Sequence, residues 1–355
     1  MQKNVNDILV IRNDKIGDFI LILPALSWIK KNIPNCNITC IVSENVSDIA
    51  EQCKLIDNVI IDKNISKLSN ELSKYKFDAS ISFFSTFRIG YLVSRLNIPI
   101  RIAPKTKLAQ IFYNYKISQK RSRSQKPEYE YNSDLVYELF KILNIEDIKD
   151  MDDGPYLNFK NESINKRKED FLKEYNLKKD KKIIFVHPAT GGSSKSLDIQ
   201  SFSDICIGLR KFDDYNFIVH CSPEDEQNAR DLKVSTGDKL TIRVIEAKKD
   251  IIHMLENISL CDVFIAGSTG PLHIAGAFNK KTIGFYPKKK SSTSLRWETI
   301  NSFDKKLSFT DTGKSRRHIT VEINKTILKI QNYILDDDEM VEEAERGPKG
   351  HKGFI

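Results

Sequence analysis

Residues 7–31 read DILVIRNDKIGDFILILPALSWIKK. The first six, Asp7–Arg12, form a short apolar run rich in β-branched side chains, the pattern of a buried strand. A turn through Lys15, Ile16, Gly17 and Asp18 follows, and then a long apolar stretch of helical character. Strand, turn and helix in this order are the opening half of a βαβ unit. Asp18 has two readings at that turn. It caps the helix, or it is a carboxylate held at the mouth of an active-site cleft.

The same alternation continues outward from this unit. In the first half, strands are expected at Ile38–Ser43, Asn58–Asp62, Phe77–Phe84 and Pro99–Ala103, with helical segments such as Thr86–Leu96 between them. The pattern lapses in the basic, aromatic-interleaved stretch Lys105–Lys126. A helix is expected over Tyr131–Leu143, and a polar region leads to Lys182. Strands resume at Lys182–Pro188, Tyr215–Cys221, Thr241–Ala247, Asp262–Gly267 and Thr282–Tyr286. Two such blocks predict an α/β chain with two doubly wound parallel sheets. The expected division is an N-terminal Rossmann-like domain over 1–175 and a C-terminal one over 176–335, closed by an amphipathic helix at Thr320–Leu335. The acidic and then Gly-rich, basic run 336–355 reads as a disordered tail. Ligands of such sheets sit outside the carboxyl ends of the strands, so chemistry is expected in the loops that follow strands.

Composition narrows the class of function. Of 355 residues 40% are hydrophobic and 29% charged, with only 15 Gly and 11 Pro, as in a soluble globular protein. The six cysteines form no CxxC pair, which argues for a reducing compartment and against a zinc site. The first residues lack a signal-peptide core, and the most apolar stretch, Phe19–Ile29, falls short of the ~20 residues a membrane span needs. A cytoplasmic location is therefore expected. A net charge of +8 favours an anionic partner without naming it.

Three loops carry candidate chemistry. In AGSTGPLHIAGAF (Ala266–Phe278) a strand ends at Gly267, and Ser268-Thr269-Gly270 leads into a helix with Pro271 in its first turn. Small residues and free N–H groups there suit a phosphate, although an ordinary capped helix has the same look. His273, one turn in, is either a phosphate donor or a packing residue. HPATGGSSKS (His187–Ser196) fails the P-loop pattern, having Ala189 and Ser194 where glycines are required. It remains either a polar surface loop or, with Thr190 and Lys195, a diphosphate cradle. HCSPEDEQNARDL (His220–Leu232) places Glu224, Asp225 and Glu226 after a strand, where a carboxylate can accept from ribose hydroxyls or simply begin a helix. His220 and His253 lie in apolar or helical contexts and read as structural.

Taken in order, ILVIR, the run RNDKIGDFILILPALSWIKKNIPN, HPATGG with Lys195, DVFIAGSTGPLHIAGAF and TIGFYPKKKSSTSLRW resemble glycosyltransferase family 9, the ADP-heptose lipopolysaccharide heptosyltransferases and their relatives. The resemblance implies a GT-B fold, with two Rossmann-like domains whose parallel sheets face each other across a cleft. It implies a nucleotide-sugar donor, ADP-heptose, in the C-terminal domain and a lipid-linked glycan acceptor in the N-terminal one. No metal, cofactor or nucleic acid is implied. Asp18 then matches the catalytic base of an inverting transfer. Thr190, Lys195, Glu226, Ser268, Thr269, Gly270 and His273 match donor-binding positions. Two departures bear on the sugar: Ser268 stands where many relatives have Asp, and the lysine loop reads K-S-L-D where many have K-x-W-P. Another nucleotide sugar, or a binding protein that no longer transfers, are the alternatives. The basic stretch Lys105–Lys126 is then either a solvated face or a peripheral contact with an anionic membrane surface.

Overall fold

The computed structural model describes residues 5–105, 108–159, 161–189, 195–211, 215–245, 248 and 250–346, with side chains at 161, 162 and 336–346 set aside. The strands of the first half are β1 (Asp7–Arg12), β2 (Asn37–Val42), β3 (Asn58–Ile61), β4 (Ala79–Ser82), β5 (Ile100–Pro104) and β6 (Tyr115–Ile117). Those of the second half are β7 (Ile183–His187), β8 (Asn216–Val219), β9 (Ile242–Val244), β10 (Val263–Gly267), β11 (Lys281–Tyr286) and β12 (Lys306–Thr310). The first sheet runs β3-β2-β1-β4-β5-β6 and the second β12-β11-β10-β7-β8-β9. Every pairing is parallel, with Ile8 opposite Ile38 on one side and Ala79 on the other. Counted from its own first strand, the second sheet repeats the order of the first. Each order reverses beside its first strand, so the loops after β1 and β4, and after β7 and β10, flank a crevice.

Continuous apolar runs made the inner strands legible, because helices cover both faces of a parallel sheet. β6 and β12 were not expected. Both are edge strands with alternating half-exposed residues, and an edge buries too little to need an apolar run. The long helix expected after Asp18 is two helices, Ile16–Ile20 and Leu23–Asn32. Pro24 sits in the first turn of the second, where its missing N–H costs nothing, and the chain turns at Leu21 and Ile22 ahead of it.

The chain crosses between domains earlier than residue 175. Trp28 Nε1 donates to Lys149 O (2.6 Å) and Lys31 pairs with Asp152 (2.6 Å), so these residues lie on the first domain. Tyr156 N and Leu157 N donate to Ala277 O (2.8 and 3.1 Å) on the second. The helix Asn161–Glu174 belongs there too, with Phe171 packed near Phe185 (6.0 Å between rings) and Arg167 donating to Asn257 (2.9 Å). Its many charges hid its apolar face. The closing helix is Ile323–Arg346, running past Leu335 through Asp, Glu, Met, Ala and Arg, several of them good helix formers, while 347–355 lie outside the described residues. Ile330 and Ile334 of this helix are buried with Phe202 and Leu209 over the second sheet.

The basic stretch Lys105–Lys126 is not one solvated face. Tyr113 is buried and donates to Ser82 Oγ (3.0 Å), and Arg121 is drawn inward by the buried Glu128.

Candidate active site

β1 ends on Arg12, a charged residue at the end of an apolar strand and only 3% exposed. Its guanidinium is spent on three neighbours. Nε donates to Asp14 Oδ1 (2.8 Å), Nη1 donates to Phe83 O (3.4 Å), and Nη2 pairs with Asp18 Oδ1. A buried guanidinium with a planar fork fixes both carboxylates in place. Asp18 stands in the first turn of Ile16–Ile20 and does not serve as its N-cap, which is Lys15. Asp14 is pushed up to about 6, chiefly by burial and further by the charge of Asp18, against the pull of Arg12.

On the other domain β10 ends at Gly267, and Thr269 precedes the helix Gly270–Ala277, which has Pro271 in its first turn. The Thr269 side chain makes no capping bond, contrary to the cap the sequence suggests. Its Oγ1, His273 Nδ1 and Ser196 Oγ are all buried and, among the described residues, unpartnered. Buried polar atoms in native folds are ordinarily satisfied, so Thr269 Oγ1 and His273 Nδ1, which share the lining of one cavity, point to a ligand that satisfies them. Burial alone pushes His273 down to about 4, which leaves a neutral imidazole at pH 7. The two domains meet closely here. A methyl group on Gly17 would lie 3.1 Å from His273 Cδ2, so the glycine lets the Asp18 helix approach the start of Gly270–Ala277.

Between these walls lies a cavity of about 950 Å³. Asp14, Lys15, Gly17 and Asp18 line it from the first domain, and Ser268, Thr269, Gly270 and His273 from the second. Lys248, Glu224 and Asp225 also line it, so the acidic run after β8 contributes its first two members. Glu226 does not line it. A 3-10 turn at Pro223–Asp225 delays the helix, and Glu226 faces outward to pair with Arg230 (3.0 Å). Lys195 is also outside the lining, with Nζ donating to Ser315 O (3.3 Å), and Thr190 lies outside the described residues. His187 and His220 line the cavity floor. Burial pushes both imidazoles below the usual histidine range, and His187 Nδ1 donates to His220 O (2.9 Å). Among the described residues no group of three or more His, Cys, Asp or Glu is placed to hold a metal ion.

Trp297 closes one rim, and the loop that carries it is tied across the domains. Arg296 Nε donates to Glu128 Oε2 (3.1 Å), Arg296 Nη1 donates to Arg121 O (3.1 Å), and Glu128 N donates to Arg296 O (2.8 Å).

Residues 65–324 match the sequence profile of Glycosyltransferase family 9 (heptosyltransferase). The chain belongs to glycosyltransferase family 9. A Haemophilus influenzae protein named "Putative glycosyltransferase" is 36% identical to this family 9 chain over 322 residues, which is 89% of this chain and 92% of that one. Lipooligosaccharide heptosyltransferase 2 of Campylobacter jejuni is 22% identical, covering 81% of this chain and 82% of its own. Among solved structures, E. coli ADP-heptose LPS heptosyltransferase II superposes with a TM-score of 0.75 at 14% identity, covering 94% and 99% of the two chains, a likeness of fold. The two facing sheets are thus the GT-B architecture of this family of glycosyltransferases. Arg12, Asp14 and Lys248 are the residues sequence reasoning passed over. The signal for Arg12 was there: a lone cation at the end of an otherwise apolar strand.

Proposed function

We propose that the protein transfers heptose, or a closely related sugar, from an ADP-sugar to a lipopolysaccharide or lipooligosaccharide core, with inversion and without a metal or cofactor. The observation that carries this reading is the pairing of Asp18, oriented by buried Arg12, with orphaned donors at the start of Gly270–Ala277 on the same cavity. With Oδ1 held by Arg12, Oδ2 is left to take the proton of an acceptor hydroxyl. That oxygen attacks the anomeric carbon while the bond from carbon to phosphate oxygen breaks and ADP departs with the electron pair. A single displacement inverts the centre. Backbone N–H groups at the helix start, Thr269 Oγ1 and Lys248 then offset the negative charge that develops on the diphosphate. Glu224 or Asp225 accepts from the ribose. The heptosyl and ADP assignments draw on the Campylobacter and E. coli relatives named above.

The acceptor's lipid places the reaction at the cytoplasmic face of a membrane. Among the described residues no helix is long and apolar enough to cross one. Asp18→Asn tests the chemistry. Turnover of ADP-heptose is expected to fall ~10²- to 10⁴-fold while the thermal stabilisation by ADP persists. Turnover within a few-fold of wild type removes Asp18 as the base. Stabilisation by UDP or GDP in place of ADP keeps the reaction class and changes the donor.

A further inference from the structure

We infer that the first domain carries a bilayer-docking surface built from Phe87, Tyr91, Leu108 and Ile111, ringed by lysines and arginines, and that its partner is an anionic lipid bilayer. The helix Phe87–Arg95 and the 3-10 turn Leu108–Phe112 pack together, with Phe112 wedged against Phe87 (4.9 Å between rings) and Tyr91 (6.0 Å). The outward residues are then unusually bare for large apolar side chains: Phe87 is 57% exposed, Leu108 77% and Ile111 65%. A contiguous patch of this kind marks an interaction site more often than an accident of composition.

Charge selects the partner. From Ala79 to Pro127 there are ten Lys or Arg and no Asp or Glu. Arg95 is exposed one helical turn beyond Tyr91, itself one turn beyond Phe87, so all three share a face, and Lys105 and Lys116 are exposed nearby in the chain. Asp62, the acid beside this helix, is paired with Arg88. Aromatic and aliphatic side chains carried on a stretch of chain rich in Lys and Arg and without Asp or Glu match a headgroup layer that is negative outside and apolar beneath.

Position gives the surface a purpose. The helix and the 3-10 turn that carry the patch follow β4 and β5, which are parallel to β1, so these segments leave the sheet at the same end as the loop that carries Asp18. Phe83 and Phe84, at the carboxyl end of β4, hydrogen-bond to Ile11 O, and Arg12 reaches Phe83 O (3.4 Å). The patch therefore begins beside the catalytic carboxylate and leads outward, as a surface must if it is to hold the enzyme where a lipid-anchored sugar enters. Only this purpose rests on the lipid-linked acceptor; the docking itself does not.

The test is co-sedimentation of the full chain with phosphatidylcholine vesicles and with vesicles enriched in phosphatidylglycerol. Wild type is expected to sediment with the anionic vesicles alone. Phe87→Ser/Tyr91→Ser/Ile111→Ser is expected to lower that partitioning about ten-fold or more, and Arg95→Glu/Lys105→Glu to do so without touching an apolar contact. Both variants are expected to keep wild-type ADP stabilisation and turnover of a delipidated acceptor, while turnover of vesicle-embedded acceptor drops. That split separates failure of docking from failure of the glycosyltransfer reading. The proposal is overturned if wild type ignores anionic vesicles or if both variants sediment like wild type. It is equally overturned if the triple variant converts a dimer to a monomer, or if the patch retains RNA in preference to vesicles.

Discussion

Replacing Asp14 with Asn removes a carboxylate that the fold holds at a cost. Burial raises its pKa from the ordinary 3.8 to about 6, so the folded chain binds this proton more tightly than the unfolded one does. A group raised in this way stabilises the fold fully below about 3.8, and that contribution is lost as pH climbs through about 6. At 1.36 kcal/mol per pH unit the interval corresponds to about 3 kcal/mol. The side chain keeps 18% of its exposure, and solvent screening brings the expected range to ~1–3 kcal/mol. Asn retains the acceptor for Arg12 Nε without the charge. Urea unfolding of both proteins, followed by tryptophan fluorescence across pH 4 to 8 in steps, measures the effect. Trp28 reports on the first domain, where Asp14 sits, and Trp297 on the second. Asp14→Asn is expected to gain ~1–3 kcal/mol on wild type between pH ~4 and ~7, then hold that lead. A gap that stays constant across the window refutes the argument from burial. Turnover supplies an independent check: Asp14→Asn should stay within about ten-fold of wild type, whereas loss comparable to that of Asp18→Asn would move the base to Asp14.

Two further outcomes follow from packing between distant segments. Glu128→Gln leaves Arg121 and Arg296 buried around a neutral group, and breaking a buried ion pair this way is expected to cost ~3–5 kcal/mol by urea unfolding. Arg296→Met should add less in the Glu128→Gln background than alone, and simple additivity would show that the three groups do not act together. Gly208→Ala puts a methyl group 2.3 Å from Ile327 Cδ1 on the closing helix. A loss of ~1–3 kcal/mol in thermal or urea unfolding is expected from overpacking, and a neutral or stabilising result would mean that helix is not seated on Gly208.

The inner strands were legible because a parallel strand covered on both faces needs an apolar interior, and DILVIR, IIFVH and VFIAG each have one, with Asp7, Arg12 and His187 confined to strand ends. The edge strands Tyr115–Ile117 and Lys306–Thr310 obey no such demand and left no mark. Pro24 signalled the break between the first two helices, and the apolar run around it concealed that signal. In the site, Asp18 and Ser268-Thr269-Gly270 were found because they follow strands. The phase of the helix after Pro223 was not legible, since one 3-10 turn decides whether Glu224 or Glu226 faces the cavity.

Local order along the chain thus set the two blocks of alternating strands and helices and the loops that line the cleft. It did so because period, burial and turn chemistry act over a few residues. The order of strands within each sheet was decided by the fold. The charge of Asp14, the orphaned Thr269 hydroxyl and the clasp of Arg121, Glu128 and Arg296 came from folding alone. Arg296 stands 168 residues from Glu128 and 175 from Arg121. No local pattern encodes that meeting, because a buried charge is defined by what surrounds it in space.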